Sequence, residues 1–193
     1  MPSHLVIITR EFVEQSARLE RADLAACVDL LAEDDGLIFF NSGPDAGASQ
    51  PHRHLQFLLG FRPPVAGRIG RPVTSWRADR AETLPFAHRL YGISDGAFDT
   101  SSPTTDRLLD CVGDACEMLP AGTGSSLPGY NLLMTREWLM FVPRRVETVA
   151  GVSLAALGFA GVIGLRSVDQ VTEVEEYGPM AMMVAAAGSA IEA

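Results

Sequence analysis

The stretch from Phe39 to Phe57 limits the possible folds more than any other part of this chain. An apolar run ends at Phe39-Phe40, a loop rich in Asn, Ser, Gly and Pro follows, and His52-Arg53-His54-Leu55-Gln56-Phe57 resumes extended structure. The pattern is strand, loop, strand. Side chains along a strand alternate between its two faces. A second strand beginning near His52 therefore puts His52, His54 and Gln56 on one face and Arg53, Leu55 and Phe57 on the other. The loop residues tolerate the backbone conformations that turn N–H groups toward a bound anion. On spacing alone the two histidines fit a polar strand face, half of a metal site, or a nucleophile with its neighbour.

Composition narrows the partners. A chain of 193 residues can bury a sizeable core as one domain. Its net charge of −9 argues against general nucleic-acid binding. All 15 basic residues are Arg, and seven of them lie between Arg53 and Arg89 against only Asp79 and Glu82. That local positive excess suits a polyphosphate ligand, or simply a solvated loop. Cys27, Cys111 and Cys116 have no motif spacing and read as thiols in a reducing cytosol. No basic segment precedes an apolar run at the N-terminus, so no leader is expected. The apolar segment Val149 to Leu165 is shorter than the roughly 20 residues of a spanning helix. It also carries Gly151, Gly158, Gly161 and Gly164, and reads as further sheet with turns rather than a membrane partner.

In chain order, His4 to Thr9 reads as a strand and Asp23 to Glu33 as an amphipathic helix, with Leu24, Cys27, Val28 and Leu31 at helical spacing. Gly36 to Phe40 is a short buried strand. Gly60 to Thr83 is loop, with the makings of a lid, and Leu84 to Leu90 returns as an edge strand. Ser102-Pro103 opens a helix that runs to about Met118, and Gly122 to Gly129 is linker. Gly122-Thr123-Gly124-Ser125 lacks the Lys of a phosphate-binding P-loop. Tyr130 to Thr135 and Trp138 to Pro143 form a hairpin, Val168 to Tyr177 an acidic surface helix, and Gly178-Pro179 opens a helix whose Met residues fill core. His88, Trp76 and Trp138 read as packing residues.

Asn41-Ser42-Gly43 followed by Gly47-Ala48-Ser49-Gln50-Pro51-His52-Arg53-His54-Leu55-Gln56 resembles the signature of the ATP adenylyltransferases, or diadenosine tetraphosphate phosphorylases. These belong to the histidine-triad superfamily, on the branch of galactose-1-phosphate uridylyltransferase. The likeness continues in order through Asn131 to Trp138, Val142-Pro143-Arg144, Leu157 to Gly161 and Gly178-Pro179-Met180. Pro2-Ser3-His4-Leu5 resembles the Pro-x-His entry of a core strand. Three features depart from the family pattern. The long segment that precedes this entry in the family is absent, Ala155 and Ala156 stand where an Asn is usual, and the zinc cysteines of the uridylyltransferases are not recognisable.

The resemblance implies an α+β fold, a histidine-triad-like antiparallel sheet flanked by helices. It implies one domain over residues 1–193, with a nucleotide-binding, catalytic half at 1–95 and a C-terminal half at 101–193 packed on it. It implies a nucleotidyltransferase in which His54 attacks the α-phosphorus of a dinucleoside polyphosphate and phosphate resolves the nucleotidyl-histidine. Asn41, Ser42, Gly43, Gly47, Ala48, Ser49, Gln50, His52 and Gln56 would hold the nucleotide and its phosphates, and His4 would stand behind His54. The implied partners are small nucleotides (diadenosine polyphosphate, ATP, ADP) and phosphate, with no nucleic acid and no membrane. No protein metal site is implied, although a divalent cation such as Mg is compatible with the reaction. The rival readings are hydrolysis by the same histidine, transfer to another acceptor, and a truncated, non-catalytic nucleotide binder.

Overall fold

A computed structural model describes residues 3–70, 76–94, 96–99, 101–120 and 127–190, the side chains of residues 101 and 102 excepted. The cap expected at Ser102, the run Gly122-Thr123-Gly124-Ser125, and Arg71 lie outside the described set. Seven strands build one antiparallel sheet: β1 (His4–Ile8), β2 (Gly36–Asn41), β3 (His54–Leu59), β4 (Ala78–Asp79), β5 (Arg89–Gly92), β6 (Tyr130–Met134) and β7 (Trp138–Pro143). Their order is β1-β3-β2-β6-β7-β5-β4. A small separate hairpin joins β8 (Thr148–Val149) and β9 (Val152–Ser153). The helices are α1 (Arg21–Glu33), α2 (Ala66–Ile69), α3 (Ser101–Ala115), α4 (Ala156–Ala160), α5 (Asp169–Tyr177) and α6 (Pro179–Ala187).

The sheet has helices on both faces, and the sequence pattern follows from that. β2 lies between β3 and β6, so its unbroken run Leu37-Ile38-Phe39-Phe40 is buried on both sides. Ile38, Phe40, Leu55 and Phe57 pack under Leu24, Val28 and Leu31 of α1 and Leu108 and Val112 of α3. Leu37, Phe39, Leu133 and Met140 pack under Phe159 of α4 and Met182 and Met183 of α6. α1 opens with a reciprocal capping box, in which the Glu20 N–H donates to Asp23 Oδ2 at 2.8 Å. No helix among the described residues is long and apolar enough to cross a membrane.

Four expectations are corrected. Val149 to Leu165 adds nothing to the main sheet. It forms the β8–β9 hairpin and then α4, whose first free N–H groups include that of Ala156, held by Asn41 Oδ1 at 2.9 Å. Leu84 to Leu90 is not an edge strand. Pairing starts only at Arg89, because the Ala87 N–H donates to Gly188 O and Phe86 bridges to Ser189, which ties this stretch to the end of α6. The second sheet edge belongs instead to β4, paired only with β5. The stretch 60–83, expected to be structureless, contains α2 and β4. Finally, β3 begins at His54 rather than His52, since Pro51 and His52 bridge to the 13–15 segment.

Candidate functional site

His54 opens β3 on the face that carries Phe39. The register sets Gln56 opposite Phe39 on one side and opposite Val6 on the other, and sets His54 opposite Ile8. His54 and Gln56 are half-buried, while Leu55 and Phe57 point into the core. The His54 Nδ1 lies 2.9 Å from the His52 carbonyl oxygen. A carbonyl can only accept, so Nδ1 carries the proton and Nε2 keeps its lone pair. That lone pair has no partner among the described residues. A ring held in this way presents Nε2 on the open side of the strand.

His52 supports this ring through its main-chain carbonyl, while its own imidazole, expected to hold the nucleotide, turns to the segment 9–12. Its Nε2 sits 3.0 Å from Thr9 Oγ1 and 3.2 Å from Glu11 O, with the ring tilted against Phe12. Arg53 pins the same turn from the opposite face. Its Nη1 donates to Asp23 Oδ2 at 2.6 Å, and its Nη2 donates to Ala17 O and Arg18 O, each at 2.8 Å.

The loop between the strands is built differently from a simple N–H cradle. Ser42 Oγ accepts from the Tyr130 N–H at 2.7 Å, and Asn41 Oδ1 accepts from Asn131 Nδ2 at 2.8 Å. Both residues are buried, and their acceptor oxygens anchor the loop to β6. The Ala46 and Ala48 N–H groups donate to Gly43 O, and the Gly47 N–H donates to Pro44 O. Gly47 takes φ 87°, and a Cβ there would stand 2.9 Å from that of Ala155. Ser49 and Gln50 are exposed at the end of this loop, and their side chains lie in no hydrogen bond among the described residues. A cavity of about 230 Å³ opens beside them, lined by Gln15, Ser16, Gly43, Ala48, Ser49 and Gln50.

Beneath the loop lies a buried polar network that neither strand periodicity nor charge suggested. Asn131 Nδ2 also donates to Ala46 O at 2.9 Å, and Arg144 Nη1 donates to Asn131 Oδ1 at 2.6 Å. The Arg144 guanidinium lies over the Phe159 ring. Burial pushes its pKa down to about 10, against the pull of Glu147 and Asp45.

The other expected site residues are dispersed. His4 is not behind His54: it faces Leu58, four residues along β3, and stacks toward Phe39. The arginines between 53 and 89 do not gather into one patch. Arg53 is buried on the far face, Arg80 donates to Ala190 O, and Arg89 pairs with Asp114 near the opposite edge. His88 is structural, its Nε2 accepting from the Ala81 N–H and its Nδ1 bonded to Phe86 O. Burial raises the pKa values of the Cys27 and Cys111 thiols, which removes them as rival nucleophiles. Gln15, whose carboxamide binds the His54 backbone, was not foreseen; it stands in a polar run with no periodicity to mark it.

Two family descriptions match this chain in order, the Ap4A phosphorylase N-terminal domain over residues 1–65 and the ATP adenylyltransferase C-terminal domain over residues 82–189. The diadenosine 5',5'''-P1,P4-tetraphosphate phosphorylase 2 of Saccharomyces cerevisiae is 23% identical over 207 residues, covering 91% of this chain and 62% of its own length. Protein APA1 of the same yeast is 23% identical over 206 residues, with 91% and 61% covered. The chain thus spans about three fifths of the curated relatives it matches. Crystal structures of yeast Ap4A phosphorylase Apa2 share the fold. The complex with AMP superposes with a TM-score of 0.80 at 19% identity, over 96% of this chain and 68% of that one. The complex with Ap4A gives 0.79 at 19%, over 96% and 69%. The second family description alone spans more than half of the sequence, and the chain belongs to the Ap4A phosphorylase and ATP adenylyltransferase family.

Proposed function

We propose that this protein is a nucleotidyltransferase that phosphorolyses diadenosine tetraphosphate to ATP and ADP, with His54 as nucleophile. The carrying observation is the His54 ring, its Nδ1–H held by the His52 carbonyl and its Nε2 unpartnered among the described residues. Nε2 attacks the α-phosphorus, the bond to the bridging oxygen breaks, and ATP leaves with that electron pair. The adenylylated ring keeps its Nδ1 proton, and the His52 carbonyl stabilises the positive charge that develops there. Inorganic phosphate then attacks the same phosphorus, the P–N bond breaks, ADP forms and the neutral ring returns. Gln56, on the same strand face, donates to a non-bridging α-oxygen, while Ser49 and Gln50 hold the phosphate chain. The yeast relatives and the Apa2 complexes with AMP and Ap4A support this substrate class. The sheet and the histidine strand support a place in the histidine-triad superfamily, and free thiols a cytoplasmic setting. A divalent cation such as Mg would arrive with the polyphosphate as part of the substrate.

The test is purified protein with diadenosine tetraphosphate, with and without phosphate. Phosphate-dependent ATP plus ADP is the expected result. Phosphate-independent AMP would mean hydrolysis, and binding without turnover would mean a nucleotide binder. His54→Ala should abolish turnover while leaving the unfolding transition in place; retained turnover would overturn the mechanism.

A further inference from the structure

We infer that Gln15 is a positioning residue that parts the sheet at His54, an inference that rests on His54 acting as the nucleophile. The register of β2 and β3 pairs Gly36 with Leu59 and Phe39 with Gln56. Continued by two residues, it would set Asn41 opposite His54 as a directly bonded pair. The two main chains do not meet there. The Gln15 carboxamide stands between them, its Nε2 donating to Asn41 O at 2.6 Å and to His54 O at 3.1 Å, and its Oε1 accepting from the His54 N–H at 2.8 Å.

An amide side chain offers a donor and an acceptor in one plane, as a peptide does. It can therefore enter a ladder and bond the carbonyl of one strand and both the N–H and the carbonyl of the other. Gln15 is itself buried and fixed: its N–H donates to Pro51 O at 2.7 Å, and the Arg53 N–H donates to Val13 O at 2.8 Å. The segment 13–15 thus holds both peptide groups of His54 and the turn that presents the His52 carbonyl. A closed ladder would keep the strands about 4.8 Å apart. An interposed carboxamide widens that spacing where the loop carrying Ser49 and Gln50 departs, which leaves room for a phosphoryl group beside Nε2. A carboxylate cannot replace it, having no proton to give the two carbonyls. Asn is one methylene too short.

The experiment uses the full chain with Gln15→Met and Gln15→Glu. In Gln15→Met the kcat for phosphorolysis, corrected for the native fraction, should fall tenfold or more, with KM within about threefold of wild type. The imidazole nitrogen resonances of His54 should lose the signature of the Nδ1-protonated tautomer. In Gln15→Glu the pH optimum should move to the acid side, because the protonated acid both donates and accepts as the amide does. Wild-type kcat in Gln15→Met, or a loss that only tracks unfolding with unchanged His54 resonances, would overturn the inference. If the wild-type protein turns over no diadenosine tetraphosphate, the proposed function fails on its own, and the His54 resonances still decide the role of Gln15.

Discussion

Arg53 and Asp23 form an ion pair sealed behind the strand that presents His54, Nη1 to Oδ2 at 2.6 Å with side-chain exposures of 2% and 7%. The pair joins α1 to the residue between the two histidines. A buried charge stripped of its partner is costly, typically about 3–5 kcal/mol, whereas replacing both partners by apolar groups costs far less. Arg53→Met should therefore lower the unfolding free energy in urea by about 3–5 kcal/mol. Arg53→Met with Asp23→Leu should recover part of that loss, less what the Glu20 cap contributes. A single-mutant loss below about 1 kcal/mol would mean that the pair behaves like a surface one.

Gln56 lies on the His54 face with its amide in no hydrogen bond among the described residues, which leaves it available to a phosphoryl oxygen. In the proposed mechanism that oxygen gains charge in the transition state. Loss of one such donor costs on the order of a hundredfold in kcat. Gln56→Ala should show that drop with KM little altered, and Gln56→Glu a larger one through repulsion. Steady-state kinetics with diadenosine tetraphosphate and phosphate checks both. A rise in KM alone would assign Gln56 to ground-state binding.

The elements with strong periodicity were legible in the sequence. α1 appears as Leu24, Cys27, Val28 and Leu31, and the β6–β7 hairpin as two apolar runs around Arg136-Glu137. Val149 to Leu165 misled because apolarity without a clear period fits a strand or a buried helix equally. The contacts that decide it, Asn41 with Ala156 and Gly47 against Ala155, span more than a hundred residues of sequence. The site was half legible. Alternation along the His-x-His-x-Gln run put His54 and Gln56 on one strand face, as the register does. That Asn41 and Ser42 would anchor the loop internally, that the His52 carbonyl would hold the His54 ring, and that Gln15 would enter the ladder all depend on tertiary partners with no local signature.

Gly47 carries two separate constraints. At φ 87° any L-residue is strained, and an added Cβ would lie 2.9 Å from the Ala155 Cβ. Gly47→Ala should cost about 1–3 kcal/mol in thermal or urea unfolding. Pairing it with Ala155→Gly should relieve the contact and leave the backbone strain, so the double variant should fall between Gly47→Ala and wild type. Equal losses in single and double variants would place the whole effect in the backbone.

His88 gives the fold a pH dependence of known sign. Burial, the largest influence, lowers its pKa from the ordinary 6.5, with the Phe86 carbonyl bond opposing. Its Nε2 accepts the Ala81 N–H, a bond that a proton on that nitrogen would break. The folded state therefore holds fewer protons on this ring than the unfolded chain does near and below 6.5. The stability His88 contributes is complete above the unfolded value and is lost as pH falls through 6.5 toward the lower folded value. Unfolding free energies measured between neutral and acidic pH should decline on the acid side. His88→Gln, which still carries a donor and an acceptor, should show a shallower decline over the same window. An unchanged slope in His88→Gln would assign the acid sensitivity to other groups.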